Sequence, residues 1–273
     1  MAQVVGLNFH QTFKPEKQYI AAILDIAGDP DCRTIKEISM MTGIPTGESS
    51  GKVEPHIIYA DYMGLINYEK KDGKYCLTRS FLGETVYMED PGLQEKLTKL
   101  LCHAMIVRRE NGAKLWSAIF RNVMPRYKTG IKRDLLIKEL NAILDGNITT
   151  KNIAPFFGSY ESFFDSLSVV FDDGETLKPG KAAYDKEFIY AYGLALLAYW
   201  KEQYPDQDEI TSDQLKEMHF GCVFGWDVQD EYTVLEHLSD KGIIRMNRQL
   251  MPYTVLLLAG YTDLVERMYS ELC

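Results

Sequence analysis

The stretch TIKEISMMTGIPTGESSGKVEPHIIYADYMGLINYEKKDGKYCL, residues 34–77, decides the fold. Thr34 and Glu37 stand at capping-box spacing ahead of the apolar positions Ile35, Ile38 and Met41, which marks a helix start. Gly43 stops that helix, because glycine takes the left-handed C-cap conformation without steric cost, and Ile44-Pro45-Thr46-Gly47 makes a turn. A second helix is predicted from Ser49 to Met63. The chain then alternates through Leu65-Ile66-Asn67-Tyr68, reverses at Asp72-Gly73 and returns through Lys74-Tyr75-Cys76-Leu77. Asp-Gly between alternating apolar residues is a two-residue hairpin signal. Helix, turn, helix and hairpin add up to a winged helix, which offers one helix to a DNA groove and a hairpin to the flanking backbone. The same module also serves as a plain protein-protein contact, so the pattern by itself leaves both uses open.

Reading outward, residues 1–15 form an extended arm that ends at Pro15, and Glu16 to Ala27 is an amphipathic helix with Tyr19, Ile20, Ile23 and Leu24 on one face. Thr78 to Met88 reads as a helix closed by Asp90-Pro91-Gly92. Two more helices are predicted over 93–110 and 112–124, and the helical pattern returns from Ile131 through Leu144. Asp172-Asp173-Gly174 has the composition of a turn at the tip of a second, degenerate wing. The C-terminal third repeats the opening theme. A helix runs from Phe188 to Gln203, Thr211 and Gln214 make a capping box, and Ile243–Met246 pairs with Tyr253–Leu257 as a hairpin. The helix before that hairpin carries Asp227, Asp230, Glu231 and Glu236, which would repel phosphates, so it reads as a protein-binding or core element. The expected architecture is mainly α: a multi-module winged-helix protein with a helical linker domain. Residues 1–90 hold the arm and first winged helix, 91–186 the basic helical linker and degenerate unit, and 187–273 an acidic winged-helix-like domain.

Apolar residues make up 46% of the 273 and charged residues 25%, proportions that suit a globular protein with a full core. No apolar run reaches the roughly 18 residues that a membrane span needs. Residues 188–200, the longest candidate, read as a helix buried in protein. The N-terminus lacks the basic start and apolar core of a signal peptide. Five cysteines, Cys32, Cys76, Cys102, Cys222 and Cys273, are scattered without a Cys-x-x-Cys pair. The odd count and wide spacing predict free thiols in a reducing cytoplasm and argue against a zinc ribbon or iron–sulfur site.

The net charge of −9 hides a steep asymmetry. Residues 1–90 carry −4, 91–133 carry +8, 134–187 carry −5 and 188–273 carry −8. A strongly acidic chain is a poor generic nucleic-acid binder, so any DNA contact belongs to its basic segment. The candidate DNA-binding residues are Ser49, Ser50, Lys52, His56 and Tyr59 on the second helix, Lys70, Lys71 and Lys74 at the wing tip, and Arg108, Arg109, Arg121, Arg126, Lys128, Lys132 and Arg133 in the basic segment. Ser49 and Ser50 would place hydroxyls and free amides at a helix N-terminus, where a phosphate fits. A solvated helix with Ser49 as an ordinary N-cap has the same appearance, and cations near helix C-termini also serve the helix dipole.

Gly47-Glu48-Ser49-Ser50-Gly51-Lys52 imitates a phosphate-binding loop but has three residues between its glycines, and Val53 follows the lysine where Ser or Thr is required. The histidines His10, His56, His103, His219 and His237 lack metal-ligand spacing. No paired carboxylates, nucleophile elbow or zinc-protease motif is present. The sequence therefore predicts no catalytic residues, no metal and no cofactor, and a non-enzymatic role.

These residues resemble a bacterial family encoded beside phosphoadenosine-phosphosulfate-reductase-like sulfurtransferases in DNA phosphorothioation and phage-defence gene islands. Phe9-His10-Gln11-Thr12-Phe13 is similar to that family's Phe-x-x-His-x-Thr-Phe start, with a shorter gap before the histidine. Gly51-Lys52-Val53, running to Met63-Gly64-Leu65-Ile66, resembles its glycine-lysine helix ending in Gly-Leu-Ile, although Pro55 interrupts the helix start. Leu77-Thr78, Leu82-Gly83, Asp90-Pro91-Gly92-Leu93, and Trp116 with Phe120 resemble further segments. The likeness is good over residues 7–125 and loose beyond. It implies a DNA-binding or assembly component of a sulfur-modification or defence system, with DNA and a sulfurtransferase-like or other defence enzyme as partners. The acidic C-terminal modules would hold that partner or a second copy of the chain. Two alternatives are a transcriptional regulator of the same gene island and a protein scaffold without DNA contact, its basic segment paired with the acidic C-terminal part.

Overall fold

A computed structural model describes residues 6–47 and 51–272. These described residues are mostly helical, with three small antiparallel sheets of three strands each. The first unit begins with helix α1 (Lys17–Ile26), strand β1 (Arg33–Thr34) and helix α2 (Ile35–Thr42). Thr34 accepts a hydrogen bond from the Glu37 amide at 3.3 Å while Glu37 accepts from the Thr34 amide at 2.7 Å, the reciprocal cap that the sequence spacing implies. Gly43 closes α2 at φ +70°. Helix α3 (Val53–Tyr62) follows, then the hairpin of β2 (Ile66–Lys71) and β3 (Lys74–Arg79). Lys71 pairs with Lys74 across Asp72 and Gly73, both at positive φ, as a tight two-residue turn requires. The sheet order is β1-β3-β2.

The pattern of short strand, two helices and hairpin returns twice. Helices α4 (Phe81–Glu89), α5 (Lys96–Ile106) and α6 (Lys114–Ala118), the last running on as a π-helical turn over Ile119–Val123, lead to the second unit. That unit holds β4 (Ile131–Lys132), α7 (Arg133–Leu144), α8 (Thr150–Tyr160), β5 (Val170–Asp172) and β6 (Thr176–Pro179), ordered β4-β6-β5. Helix α9 (Ile189–Gln203) precedes the third, made of β7 (Glu209–Thr211), α10 (Ser212–Met218), α11 (Val228–Asp240), β8 (Ile244–Asn247) and β9 (Thr254–Leu257), ordered β7-β9-β8, and α12 (Tyr261–Arg267) ends the chain's regular structure. In each unit the hairpin's return strand sits in the middle. The Thr211–Gln214 capping box opens α10 as the sequence predicts.

One hydrophobic cluster runs from Phe9 to Met268 through all three units. Its axis is α9, buried from Ile189 to Leu197 and again at Tyr199 and Trp200, which packs on α5, α10, α11 and α12. No helix among the described residues is long and apolar enough to cross a membrane.

Three expectations are corrected. The arm is folded rather than extended where it is described: residues 7–12 make tight turns, and Phe9 inserts between Tyr59, Tyr62 and Trp116 at ring distances of 4.9, 5.0 and 6.1 Å. Burying that ring outweighs the ordering of a short arm. Cys32 and Cys76 are not free thiols but a disulfide. Strand β1 lies antiparallel to β3 with Arg33 opposite Tyr75, so the preceding cysteine meets the following one. Cys102 and Cys222 are free, and burial pushes the Cys102 thiol far up. Helix α3, expected to be offered to a DNA groove, is instead internal, buried at Val53 and from Pro55 to Ala60.

Glycine is required at Gly83, where a Cβ would fall 1.7 Å from the Leu65 carbonyl oxygen. This close approach lets Ser80 cap α4 through the Gly83 amide at 2.8 Å while its own hydroxyl donates back to the end of α3's turn at Gly64.

Candidate functional site

The residues expected to face DNA divide into three groups. Ser49 and Ser50 lie outside the described residues. His56 and Tyr59 are fully buried, because α3 packs against α1, α2 and α5 at once and is covered along its length from Val53 to Ala60 except at Glu54. The His56 Nδ1–H donates to the Lys52 carbonyl at 2.6 Å while Nε2 accepts from the Glu16 amide at 3.0 Å. Burial depresses its pKa to about 4, so the ring is neutral. The Tyr59 hydroxyl donates to the Phe13 carbonyl at 3.0 Å, and burial raises its pKa. Neither side chain presents a surface. Lys52 is committed as well, paired with Glu16 at 2.6 Å and set near the Phe13 and Tyr19 rings.

At the wing, Lys70 pairs with Glu54 at 3.0 Å and lies 4.8 Å from the centre of the Tyr75 ring. Lys71 pairs with Glu69 at 2.7 Å. Lys74 is exposed and has no ion-pair partner among the described residues.

The basic segment is dispersed. Arg121 is 1% exposed and carries no external charge. Arg126 pairs with Glu139 at 2.8 Å, and Arg133 pairs with Asp172. Lys128 and Lys132 are exposed without an ion-pair partner among the described residues. Arg108 is tied to its own loop, donating to the Met105 and Asn111 carbonyls at 3.1 and 3.0 Å. Arg109 donates to the Glu217 carbonyl at 3.4 Å. The carboxylates that neutralise this segment come from residues 134–187, not from the acidic tail. Glu202 does reach the segment, but it accepts from the amides of Arg109 and Asn111 at 3.1 and 3.0 Å rather than from a guanidinium.

What the fold does bring together is a groove of about 1450 Å³ between the first and third units. The end of α3 and strand β2 form one wall, α9 and the segment after β9 the other, and the loop between α5 and α6 joins them. Lys70, Arg108, Lys114 and Lys201 line it beside Asp61, Glu69, Glu110, Glu202 and Asp208. Four cations against five carboxylates make a mixed-charge surface, unlike the positive track a polyanion needs. Asp61 is its most perturbed acid. Burial pushes its pKa up to about 6, and Arg108 only partly opposes that rise. Burial also pushes the neighbouring Tyr62 and Tyr68 hydroxyls up to about 12.

The chain has the fold of SspB. A crystal structure of SspB and one of its magnesium-ion-bound form superpose with TM-scores of 0.74 and 0.75. Each match covers 96% of this chain and 86% of the other at 14% identity. No family model and no curated protein matches the sequence. Among the described residues, no group of three or more His, Cys, Asp and Glu side chains could hold a metal ion.

Sequence reading missed the groove because its walls lie far apart in the chain. Asp61 and Arg108 are separated by 47 positions, and Glu202 sits at the end of a helix legible only as apolar. One signal was present: Asp61 and Glu54 are the sole charged residues in an otherwise covered α3 from Val53 to Tyr62.

Proposed function

We propose that this protein is a DNA-contacting assembly component of a bacterial DNA sulfur-modification or phage-defence system, built from three winged-helix modules on a shared helical core. The whole-chain likeness to SspB carries this reading, together with the resemblance of residues 7–125 to the family of those gene islands. The repeated order of short strand, helix, helix and hairpin supports the winged-helix assignment. DNA is held by its backbone, through the wing lysines Lys71 and Lys74 and through Lys128 and Lys132 beside the second unit. Base readout is not part of the function, because α3 is covered by α1, α2 and α5 and α11 is acidic. That same burial disfavours the transcriptional-regulator alternative, which needs a helix edge in the major groove. The mixed-charge groove favours a protein occupant, so the partner enzyme docks there and the protein itself carries out no chemistry.

Fluorescence anisotropy with generic and phosphorothioated duplexes, over a range of salt and with magnesium present, tests this reading. Binding should weaken with salt, and K128E/K132E should reduce the log–log slope by about 2, one for each lost phosphate contact. Absence of binding at low salt, or an unchanged slope in the variant, would overturn the DNA part. Supercoiled plasmid incubated with the protein and magnesium should keep its topology, and nicked or linear product would overturn the non-enzymatic part.

A further inference from the structure

A second cavity, of about 250 Å³, is lined by Arg109, Glu110, Arg121, Tyr199, Glu202 and Gln203. Arg121 belongs to the π-helical turn after α6 and is 1% exposed. Its Nε donates to the Val107 carbonyl at 2.8 Å and its Nη1 to the Met218 carbonyl, while Nη2 is buried with no hydrogen-bond partner. The guanidinium stacks on the Tyr199 ring at 4.0 Å. Arginine keeps its charge in proteins, and a buried cation without a counter-ion is costly. No carboxylate among the described residues forms an ion pair with Arg121. Arg109 adds a second guanidinium whose Nε is also buried and without a partner. Of the two acids that line the cavity, Glu110 and Glu202, the second is occupied. Its Oε1 accepts from the Asn111 amide and side chain at 3.0 and 2.9 Å, and its Oε2 from the Arg109 amide at 3.1 Å.

We propose that this cavity is a binding site for a tetrahedral oxyanion of the phosphate or sulfate class, held by the free N–H groups of Arg109 and Arg121. Planar guanidinium forks match such oxyanions, and charge-assisted bonds of this kind are the strong ones. A bound oxyanion supplies the counter-charge that Arg121 lacks. The cavity leaves room for an oxyanion carried on a small molecule as well as a free ion. The inference stands apart from the DNA reading, because none of these residues belongs to the wing or to the Lys128–Lys132 surface.

Isothermal titration of the full chain with inorganic phosphate, sulfate and a nucleoside monophosphate tests it, with chloride at matched ionic strength as the control. Phosphate should bind and raise the melting temperature beyond the chloride control. Arg109→Gln should weaken it at least about tenfold, the factor for one charge-assisted hydrogen bond. Glu202→Gln keeps one acceptor oxygen, enough for the Asn111 amide and side chain, and gives up the bond to the Arg109 amide. It removes a negative charge from the cavity wall, so it should tighten anion binding even as the lost bond lowers stability, an effect opposite to that of structural damage alone. Tighter capture of the nucleotide than of phosphate would place the source on a nucleotide, and equal capture on the free ion. Phosphate affinity identical in the wild type and both variants, or no binding beyond the chloride control, would overturn the proposal.

Discussion

Replacing Asp61 by asparagine should make the protein more stable at neutral pH and change nothing in acid. Asp61 lies on the groove wall at the end of α3, its carboxyl pushed up to about 6 by burial against an ordinary value of 3.8. A folded-state pKa above the unfolded one means that the native protein holds the proton more tightly. The resulting stability is complete below about 4 and is lost as pH rises through about 6. Each pKa unit is worth about 1.4 kcal/mol, so the ionised carboxylate costs up to ~3 kcal/mol at pH 7.5, which partial solvent access at the groove reduces to ~1–2 kcal/mol. Among the described residues the Asp61 side chain makes no hydrogen bond that Asp61→Asn would lose, and Arg108 keeps its backbone carbonyl partners. Urea unfolding followed by the buried tryptophans Trp116 and Trp200 should show the variant ahead by that amount at pH 7.5 and level with the wild type near pH 4. The melting temperature should rise by about 3 °C at the higher pH. A variant that is less stable at pH 7.5 would mean that Asp61 is a working partner of Arg108, and the desolvation argument would fail. An equal gain at both pH values would also refute it.

Other outcomes follow from the fold. Cys76→Ser, or reduction of the Cys32–Cys76 bridge that closes a separation of 44 residues, should cost about 2–4 kcal/mol, and peptide mass mapping should recover the two cysteines crosslinked. Two intact reduced peptides from native protein would contradict the bridge. Tyr59→Phe should cost about 1 kcal/mol through its lost bond to the Phe13 carbonyl and leave DNA affinity unchanged, whereas a large loss of affinity at equal stability would return α3 to the DNA surface. Gly83→Ala should lower the melting temperature sharply, because the new methyl group meets the Leu65 carbonyl, and a neutral effect would show that α4 can shift away from the α3 end.

Local signals were read directly. The Thr34 and Thr211 caps, the Gly43 stop and the Asp72-Gly73 turn each depend on contacts within a few residues, and those are written in the sequence; the burial of α9 was legible from its largely apolar run. The short strands β1, β4 and β7 were not legible, since two or three residues carry no period and exist only by pairing with a distant hairpin. The Cys32–Cys76 bridge depends on that same pairing, so spacing could not find it. His56 and Tyr59, candidates for DNA contact on the second helix, are buried instead. Phe9 and Trp116, brought in from 50 or more positions away, cover Tyr59, while Tyr19 and the Glu16 amide cover His56, and no helix pattern encodes how many sides of a helix will be packed. Arg121 misled for the reverse reason: its charge suggested surface, and its actual partners, Val107, Met218 and Tyr199, lie on three separate segments.

Hydrogen–deuterium exchange of the protein with and without duplex DNA tests most directly the claim that contact is made by wing and loop lysines and not by α3. New protection is expected over residues 70–75 and 126–132, with α3 exchanging slowly in both states. Protection that appears over Val53–Tyr62 and spares those two segments would contradict it.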